Sequence, residues 1–467
     1  MPSARTLGDL TAGGHRRRGI RDELRQNLLT RLESNRAEPL FPGIVGYQDS
    51  VVPEIENALL SGHHMVFLGE RGQAKTRIIR QLVELLDPYL PVVKGCEIND
   101  DPFAPVCAAC RRALDAHGDA LKIDWLPREA RYGEKLATPD VTMADLVGEI
   151  DPVKIAEGRY MSDEEAIHYG IIPRTHRGIF AINELPDLTE KVQVGLFNLM
   201  EERDLQIKGY KVRLPLDVVV VATANPEDYT SRGRIVTPLK DRFDVQIRTH
   251  YPTRIEDEVA IMKQEAHCGA RDGRPVRTPD FLEEVIAAIT LEARSAPEVN
   301  QGSGVSVRVS INNFETLVAN AEKRAVRCGE GEVVPRITDL GAVFASTLGK
   351  LEFEYGLEEA NERAVIERLV DRAVKASFDR RVDEHILAPI VEYLGEGWGV
   401  AVSDSMASVE YVTGIASIPG MRDALDALGP FESPGLMASA TEFLLEGLHL
   451  HERLNREREG GRLTYRS

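Results

Sequence analysis

The sequence predicts an α/β fold in which a parallel sheet comes first and a mainly helical region follows. Three apolar runs have the length of buried strands, at residues 64–68, 178–182 and 218–222. Segments with helical spacing separate these runs, and continuous apolar strands alternating with helices are typical of a parallel sheet covered on both faces. Beyond Pro252 the apolar spacing is helical almost throughout.

The helices are predicted from the same spacing. Residues 76–86 carry apolar side chains at helical intervals, and Pro88 ends that helix. An N-terminal helix is predicted over residues 21–33 and another over residues 192–203. In the second half of the chain, helices are predicted at 255–266, 279–293, 312–328 and 337–355, and residues 356–467 are also expected to be mainly helical.

Composition and charge exclude several classes of protein. Of the 467 residues, 43% are hydrophobic and 28% are charged, and the formal net charge is −18. A surface this acidic argues against broad binding to nucleic acid or anionic membranes. No apolar run approaches the ~20 residues that span a bilayer, and no apolar segment follows Met1 as in a secretory leader. Five cysteines do not make a disulfide framework, so we expect a cytoplasmic protein.

One basic cluster lies near the N-terminus. Residues 15–18 read His-Arg-Arg-Arg. This cluster is either a solvated tail or a docking element.

A phosphate-binding loop is predicted between the first strand and its helix. The loop consists of Gly69, Glu70, Arg71, Gly72, Gln73, Ala74, Lys75 and Thr76. Backbone N–H groups in such a loop surround phosphate oxygens, and the following helix N-terminus adds positive potential. Lys75 would reach the β- and γ-phosphates of ATP, and the Thr76 hydroxyl would hold Mg²⁺. Because the usual pattern has glycine where this chain has Ala74, an ordinary glycine-rich turn is the alternative for this stretch alone.

Polar residues follow the other two buried strands. The strand at 178–182 is followed by Asn183 and Glu184, and the strand at 218–222 leads to Asn225. Glu184 suits the positioning of an attacking water, whereas Asn183 stands where an acid normally supports Mg²⁺. Asn225 could contact both the γ-phosphate and that water, although it could also be a turn residue before proline. Arg242 lies farther along, either as a functional arginine or as a surface ion-pair former.

Taken in order, these motifs resemble those of AAA+ ATPases, in the branch that holds the magnesium-chelatase I subunits and the MoxR-type ATPases. Residues 41–48, Phe-Pro-Gly-Ile-Val-Gly-Tyr-Gln, resemble the opening motif, whose apolar residues such as Val45 border the adenine. Residues 174–180, Arg-Thr-His-Arg-Gly-Ile-Phe, resemble the approach to the Walker B strand of chelatase I subunits. Alanine in the phosphate loop is frequent in the MoxR branch, which accounts for Ala74.

The resemblance assigns roles to four residues. It implies that Glu184 is the catalytic glutamate and Asn225 is sensor 1. Arg242 would be the arginine finger that reaches a neighbouring subunit's site. Arg308, in Val-Ser-Val-Arg at 305–308, would be sensor 2 at the start of a lid helix. Asn183 departs from the family's aspartate, so we expect Mg²⁺ binding weaker by about 1–2 kcal/mol and slow turnover.

The resemblance also implies a domain organisation and an assembly. The resemblance covers about residues 41–350 and implies a nucleotide-binding α/β core at 41–250 and a helical lid at 251–350. The residue patterns outside it predict a helical or flexible segment at 1–40 and a helical C-terminal region at 351–467. Two inserts fit the branch: residues 138–173, and a hairpin at 206–212. In the family such a hairpin faces the pore of the ring, and a plain surface hairpin is the alternative. The family forms hexameric rings, and its members work with a separate protein that carries a von Willebrand factor A domain.

Three functions remain open from the sequence. The first is a MoxR-like chaperone, an ATPase that remodels a protein client. The second is the ATPase subunit of a magnesium chelatase that inserts Mg²⁺ into protoporphyrin. The third is a nucleotide-gated scaffold with little turnover, for which Asn183 is the main support.

Three cysteines lie close together in the sequence. Cys96, Cys107 and Cys110 fall within fifteen residues, and with His117 they would make a Cys₃His set suited to structural Zn²⁺. Chelatase I subunits have a similar cysteine-bearing segment. Free structural thiols and a redox role are the alternatives.

Overall fold

The computed structural model divides the protein into two compact units, residues 1–250 and 251–467. It describes residues 2–34, 38–157, 160, 164–201, 214–226, 234–269, 273–354, 359–459 and 462–466. The finer division into four segments stays a prediction.

A five-stranded parallel sheet forms the centre of the first unit. Its strands lie in the order Tyr132–Leu136, Gly178–Asn183, Val218–Ala224, Met65–Leu68 and Val245–Arg248. Every residue of the second and third of these strands is buried, as expected for a sheet covered on both faces. The predicted α/β fold with a parallel sheet is confirmed.

Helices surround this sheet. The α-helices of the first unit, within the described residues, are Leu7–Ala12, Ile20–Ser34, Val51–Ser61, Lys75–Gln81, Ala108–His117, Met143–Leu146, Pro152–Ala156, Ile171–Arg174, Glu190–Gly195, Phe197–Glu201 and Thr237–Arg242. Two antiparallel pairs accompany them, Tyr89–Val93 with Ile123–Pro127 and Gly148–Ile150 with Ile167–Tyr169. The helix predicted over 76–86 ends at Gln81 and continues as a 3₁₀ helix, Leu82–Leu85.

The N-terminal helix Ile20–Ser34 is packed into the first unit. Leu24 and Leu28 lie in the same hydrophobic cluster as the phosphate-loop helix. Both Glu23 carboxylate oxygens accept hydrogen bonds of 2.7 Å from the buried guanidinium of Arg131. This ion pair links the helix to the edge of the sheet. Loss of either partner would leave the other as an uncompensated buried charge, so the link is costly to break.

The basic cluster at residues 15–18 is neither loose nor unpartnered. Arg17 lies 3.1 Å from Asp101, and Arg18 forms an ion pair with Asp87. The ring of His15 stacks on Phe103. Of the two expectations for this cluster, docking fits, and the acidic groups that it contacts belong to the same unit.

The second unit is mainly helical. Its α-helices, in the described residues, are Ile255–Glu265, Asp280–Ser295, Arg308–Cys328, Val343–Leu348, Glu359–Arg381, Ala388–Gly395, Ser408–Ile415, Met421–Leu428 and Pro434–Leu450. None of the described helices in either unit is long and apolar enough to cross a membrane.

A small antiparallel sheet in the second unit was not predicted. It pairs Val400–Ser403 with Arg462–Arg466, which in turn pairs with Asn455–Glu459. The strand Asn455–Glu459 reads Asn-Arg-Glu-Arg-Glu and is exposed along its whole length. It therefore lacks the apolar alternation from which strands are recognised in a sequence.

Candidate functional site

The phosphate loop joins the strand Met65–Leu68 to the helix Lys75–Gln81 at the carboxyl edge of the sheet. A Cβ atom at Gly69 would lie 1.9 Å from Thr249 Oγ1 and 2.2 Å from Gln73 Oε1, so only glycine fits there. Thr249 Oγ1 donates to Gln73 Oε1 at 2.6 Å, which links the loop to the end of the last strand. Gly72 has a φ of 78°, a backbone conformation that glycine adopts without strain.

Ala74 adopts a backbone conformation that glycine reaches without strain. Its φ of 56° and ψ of 11° lie in the left-handed region, immediately before the helix begins at Lys75. A residue with a Cβ atom costs roughly 1–2 kcal/mol in this region. The loop therefore keeps the shape of a phosphate loop at some cost in stability.

Lys75 points into this loop. It is 7% exposed. Its Nζ donates to the carbonyl of Glu70 at 2.7 Å, to Asn225 Oδ1 at 2.8 Å, and to the carbonyl of Gly69. A buried ammonium held among backbone oxygens, beside a loop too tight for a side chain, suits contact with phosphate oxygens. The residues present thus fit the phosphates of a nucleoside triphosphate.

Asn225 joins Lys75 to Glu184. Its amide nitrogen donates to Glu184 Oε2 at 2.9 Å while its amide oxygen accepts from Lys75. The backbone N–H of Glu184 donates to Thr223 Oγ1 at 2.9 Å, and Glu184 has a φ of 57°. The positive φ places Glu184 in a strained backbone conformation. Strain of this kind is concentrated at functional sites, where the surrounding structure holds it in place.

Asn183 lies between the Thr76 hydroxyl and a carboxylate that the sequence did not reveal. Thr76 Oγ1 is 3.4 Å from Asn183 Oδ1, and Asn183 Nδ2 donates to Glu134 Oε1 at 2.6 Å. Glu134 lies on the neighbouring strand Tyr132–Leu136, opposite Ala181. No local motif marks Glu134, because only the order and register of the strands bring it here.

Arg80 holds Glu134 in place. Its guanidinium donates to both carboxylate oxygens at 2.8 Å, and Tyr132 adds a hydrogen bond of 3.1 Å. The bond from Arg80 lowers the pKa of Glu134 against the opposing effect of burial. Glu134 is therefore a carboxylate beside the place where Mg²⁺ is expected.

The opening motif is attached to the loop through Tyr47. The Tyr47 hydroxyl oxygen lies 2.7 Å from the carbonyl oxygen of His250 and 3.0 Å from that of Gln73, and its single proton is shared between them. Tyr47 is buried and Val45 is half-buried. An adenine contact for Val45 stays a prediction, while Tyr47 is an anchoring residue that the motif did not single out.

The two arginines of the family pattern have separate surroundings. Arg242 ends the helix Thr237–Arg242, donates to the carbonyl of Pro238 at 2.7 Å and lies 4.8 Å from the centre of the Phe197 ring. Arg308 begins the helix Arg308–Cys328 in the second unit and is exposed. Their roles stay predictions. The hairpin expected at 206–212 lies outside the described residues.

The cysteines converge, but with a different fourth residue. Cys96, Cys107 and Cys110 gather with Asp100, each offering an atom within 4.8 Å of the others. His117 does not belong to this group among the described residues. It ends the helix that begins after Cys107, and ten residues of helix rise about 15 Å. The expected Cys₃His set is therefore wrong in its histidine.

Together the fold and this site define a P-loop nucleotide-binding protein. A family model described as "AAA domain (dynein-related subfamily)" matches residues 122–243. A magnesium-chelatase subunit ChlI homolog of Methanocaldococcus jannaschii is 27% identical over 234 residues, which is 48% of this chain and 58% of that protein. Magnesium-chelatase subunit ChlI of Nephroselmis olivacea is 25% identical over 347 residues, 68% of this chain and 89% of that protein. These matches support an AAA+ ATPase of the branch that holds the chelatase I subunits and MoxR-like proteins.

Coverage of the relatives is uneven. The chain spans less than two thirds of the archaeal relative and 62% of the 38 kDa magnesium-chelatase subunit of Acidiphilium rubrum. Among solved structures, it is similar to a chain of the complex between the magnesium-chelatase subunits BchI and BchD, with 21% identity and a TM-score of 0.36 over 69% of this chain and 99% of that one. So low a score adds nothing to the sequence matches.

Proposed function

We propose that this protein binds and hydrolyses ATP at the carboxyl edge of the sheet in the first unit. The observation that carries the proposal is the hydrogen-bonded series Lys75, Asn225 and Glu184. The Asn225 amide bonds to the Lys75 ammonium on one side and to the Glu184 carboxylate on the other. The distance between these two charged groups is therefore fixed. Bound ATP with Mg²⁺ would supply the phosphorus atom that water attacks.

Each residue of the site has a distinct task. The loop N–H groups and Lys75 would bind the phosphates, and the Thr76 hydroxyl and Asn183 would hold Mg²⁺. Glu184 accepts a hydrogen bond from the attacking water and polarises it. Asn225 orients the Glu184 carboxylate. Glu134 supplies through Asn183 a negative charge that the amide itself lacks.

The assembly completes the site in this proposal. Arg242 would act on the nucleotide of a neighbouring subunit in a hexameric ring, and Arg308 would contact the γ-phosphate from the lid. ATP turnover would then move the units and remodel a partner protein, for which a separate protein with a von Willebrand factor A domain is the proposed candidate. Support comes from the matches to the AAA+ branch.

A second candidate function is the ATPase subunit of a magnesium chelatase that acts on protoporphyrin. It is favoured by the names of the relatives, several of which are magnesium-chelatase subunits. Purification of the tagged protein with ATP and Mg²⁺, followed by identification of its partners, separates the two. A porphyrin-binding partner supports the chelatase, and a protein client without porphyrin supports the remodelling ATPase.

Steady-state hydrolysis tests the proposal. Wild-type protein should release phosphate from ATP, whereas Glu184→Gln should bind ATP and release almost none. Lys75→Ala should lose nucleotide binding, because the charge that meets the β- and γ-phosphates is gone. A wild-type protein that binds ATP but turns over no faster than Glu184→Gln would make the protein a nucleotide-gated scaffold instead.

A further inference from the structure

A cluster of potential metal ligands lies away from the nucleotide site, between the strand Tyr89–Val93 and the helix Ala108–His117. It contains three cysteines, Cys96, Cys107 and Cys110, and Asp100. One ligand atom from each lies within 4.8 Å of those of the other three. Tetrahedral Zn²⁺ with Zn–S bonds of about 2.3 Å separates its sulfur ligands by about 3.8 Å, so the group needs only a small contraction.

We propose that Cys96, Asp100, Cys107 and Cys110 bind one structural Zn²⁺ ion. Three thiolates are the soft ligands that select zinc over magnesium or calcium, and one carboxylate oxygen completes a tetrahedron. This site is independent of the ATP site and of the functions proposed above.

The backbone already prepares the two cysteines of the C-x-x-C pair. Cys107 precedes the first turn of the ten-residue helix Ala108–His117, and its Sγ accepts a hydrogen bond of 3.3 Å from the N–H of Cys110. A helix N-terminus favours negative charge, so it stabilises a thiolate there.

Asp100 is also oriented before any metal binds. Its Oδ1 accepts from the N–H groups of Asp101 and Val106 at 2.9 and 2.8 Å. Its Oδ2 accepts from those of Val106 and Cys107 at 2.9 Å each. Three donors leave room for one more partner, since a carboxylate has about four acceptor positions. Hydrogen bonds of this kind fix the orientation of a metal ligand.

A metal explains this convergence better than a disulfide does. A bond between Cys107 and Cys110 would use two sulfurs and would leave the approach of the third thiol, Cys96, unexplained. Residues 94–107 contain no helix or strand, and a segment of this kind inside a compact unit needs something to hold it. A cavity of about 400 Å³ lined by all three cysteines offers an entry path for the ion.

The site would stabilise the first unit near the nucleotide site without touching it. Asn99, inside the metal-binding segment, donates to the carbonyl of Arg174 at 2.6 Å. Arg174 begins the Arg-Thr-His-Arg approach to the strand Gly178–Asn183, which ends at the nucleotide site. We therefore expect metal loss to lower thermal stability first, with nucleotide affinity in the folded protein little changed.

Elemental analysis of protein purified without chelator tests the site. We expect about one zinc per chain in the wild type. Cys107→Ser and Cys110→Ser should each lose most of it, whereas the matched controls Cys268→Ser and Cys328→Ser, at cysteines outside the cluster, should keep it. Zinc-free protein, or zinc kept by Cys107→Ser and Cys110→Ser, would overturn the proposal.

Two measurements on wild-type protein avoid variants that fail to fold. Removal of zinc with a chelator should lower the melting temperature, and added Zn²⁺, but not Mg²⁺, should restore it. Co²⁺ in place of Zn²⁺ should give the intense near-ultraviolet charge-transfer absorption of thiolate ligation. A disulfide found by mass spectrometry without reductant, or no thiolate–cobalt absorption in reduced protein, would contradict the site.

Discussion

The side-chain N–H of Asn183 donates to Glu134 Oε1 at 2.6 Å, at the strand end where an acid normally supports Mg²⁺. The negative charge that the sequence lacks at this strand end is therefore present one strand away. Arg80 keeps that carboxylate ionised and in place. The expectation of a weak metal site, based on Asn183 alone, needs this neighbour taken into account.

Glu134→Gln should raise the Mg²⁺ concentration needed for half-maximal ATP hydrolysis roughly fivefold, which corresponds to a loss of about 1 kcal/mol in metal binding. The measurement is ATPase rate against Mg²⁺ concentration. Glu129→Gln, at an exposed carboxylate near the other end of that strand, is the matched control and should change little. Superimposable curves for Glu134→Gln and wild type would show that Glu134 has no part in metal binding.

Asn183→Asp places two carboxylates within hydrogen-bonding distance of each other. Without Mg²⁺ their repulsion should destabilise the protein, because two like charges this close cannot both ionise freely. Mg²⁺ with a nucleotide should remove that loss, so the variant's melting temperature should depend on Mg²⁺ far more than that of the wild type. The double variant Glu134→Gln/Asn183→Asp has one carboxylate again and should lose this dependence. If the single and double variants respond alike, the two side chains are not neighbours.

His176 should make stability fall in mild acid. Burial, with Arg177 and then Arg17 nearby, lowers its pKa to about 3, and its Nδ1 accepts from the N–H of Asp217 at 2.9 Å. The unfolded chain takes up a proton near pH 6.5 that the folded protein does not bind, so the free energy of unfolding decreases as pH falls below 6.5. The loss between pH 6.5 and 5.5 should be about 1 kcal/mol.

Denaturant unfolding at several pH values measures this effect. His176→Asn retains an acceptor for Asp217 and should remove that part of the pH dependence. His117→Asn, at an exposed histidine of the same unit, serves as the control and should retain it. An unchanged pH slope in His176→Asn would mean that other groups cause the loss.

Ala74→Gly should stabilise the protein by about 0.5–1 kcal/mol. Glycine relieves the strain of the left-handed backbone at φ 56°, which stabilises the folded protein. The greater conformational entropy of glycine in the unfolded chain offsets part of this gain. Ala260→Gly, at an exposed position within the helix Ile255–Glu265, should instead destabilise by about 1 kcal/mol. Chemical denaturation measures both, and equal losses in the two variants would show that Ala74 is unstrained.

Arg242 should act across a subunit boundary. Arg242→Ala should bind ATP almost normally and hydrolyse it poorly. Mixing it with Lys75→Ala subunits creates some sites with an intact Lys75 and an intact Arg242, so part of the activity should return. Mixed rings that form but remain inactive would show that Arg242 serves its own subunit, where it contacts Phe197 and Pro238.

The sequence predicted much of the first unit, because the evidence there is local. Buried strands appear as unbroken apolar runs, and two of the three reach the polar residues that lie together at the sheet edge, Glu184 and Asn225. The strand Tyr132–Leu136 was not recognised. It reads Tyr-Gly-Glu-Lys-Leu and lies at the sheet edge, where its side chains are only partly buried. An edge strand needs no apolar run, so its pattern gives little signal.

By itself, the amino-acid sequence predicted the parallel sheet, the helical second half, the phosphate loop and the resemblance to the AAA+ branch. These depend on residues close together in the chain, whose spacing directly reflects strand, turn or helix geometry. The tertiary structure alone decided that Glu134 stands beside Asn183, and that Asp100 rather than His117 joins the cysteines. Such contacts depend on strand order, on register and on where a helix ends in space. Those are set by packing among distant segments, which no local pattern records.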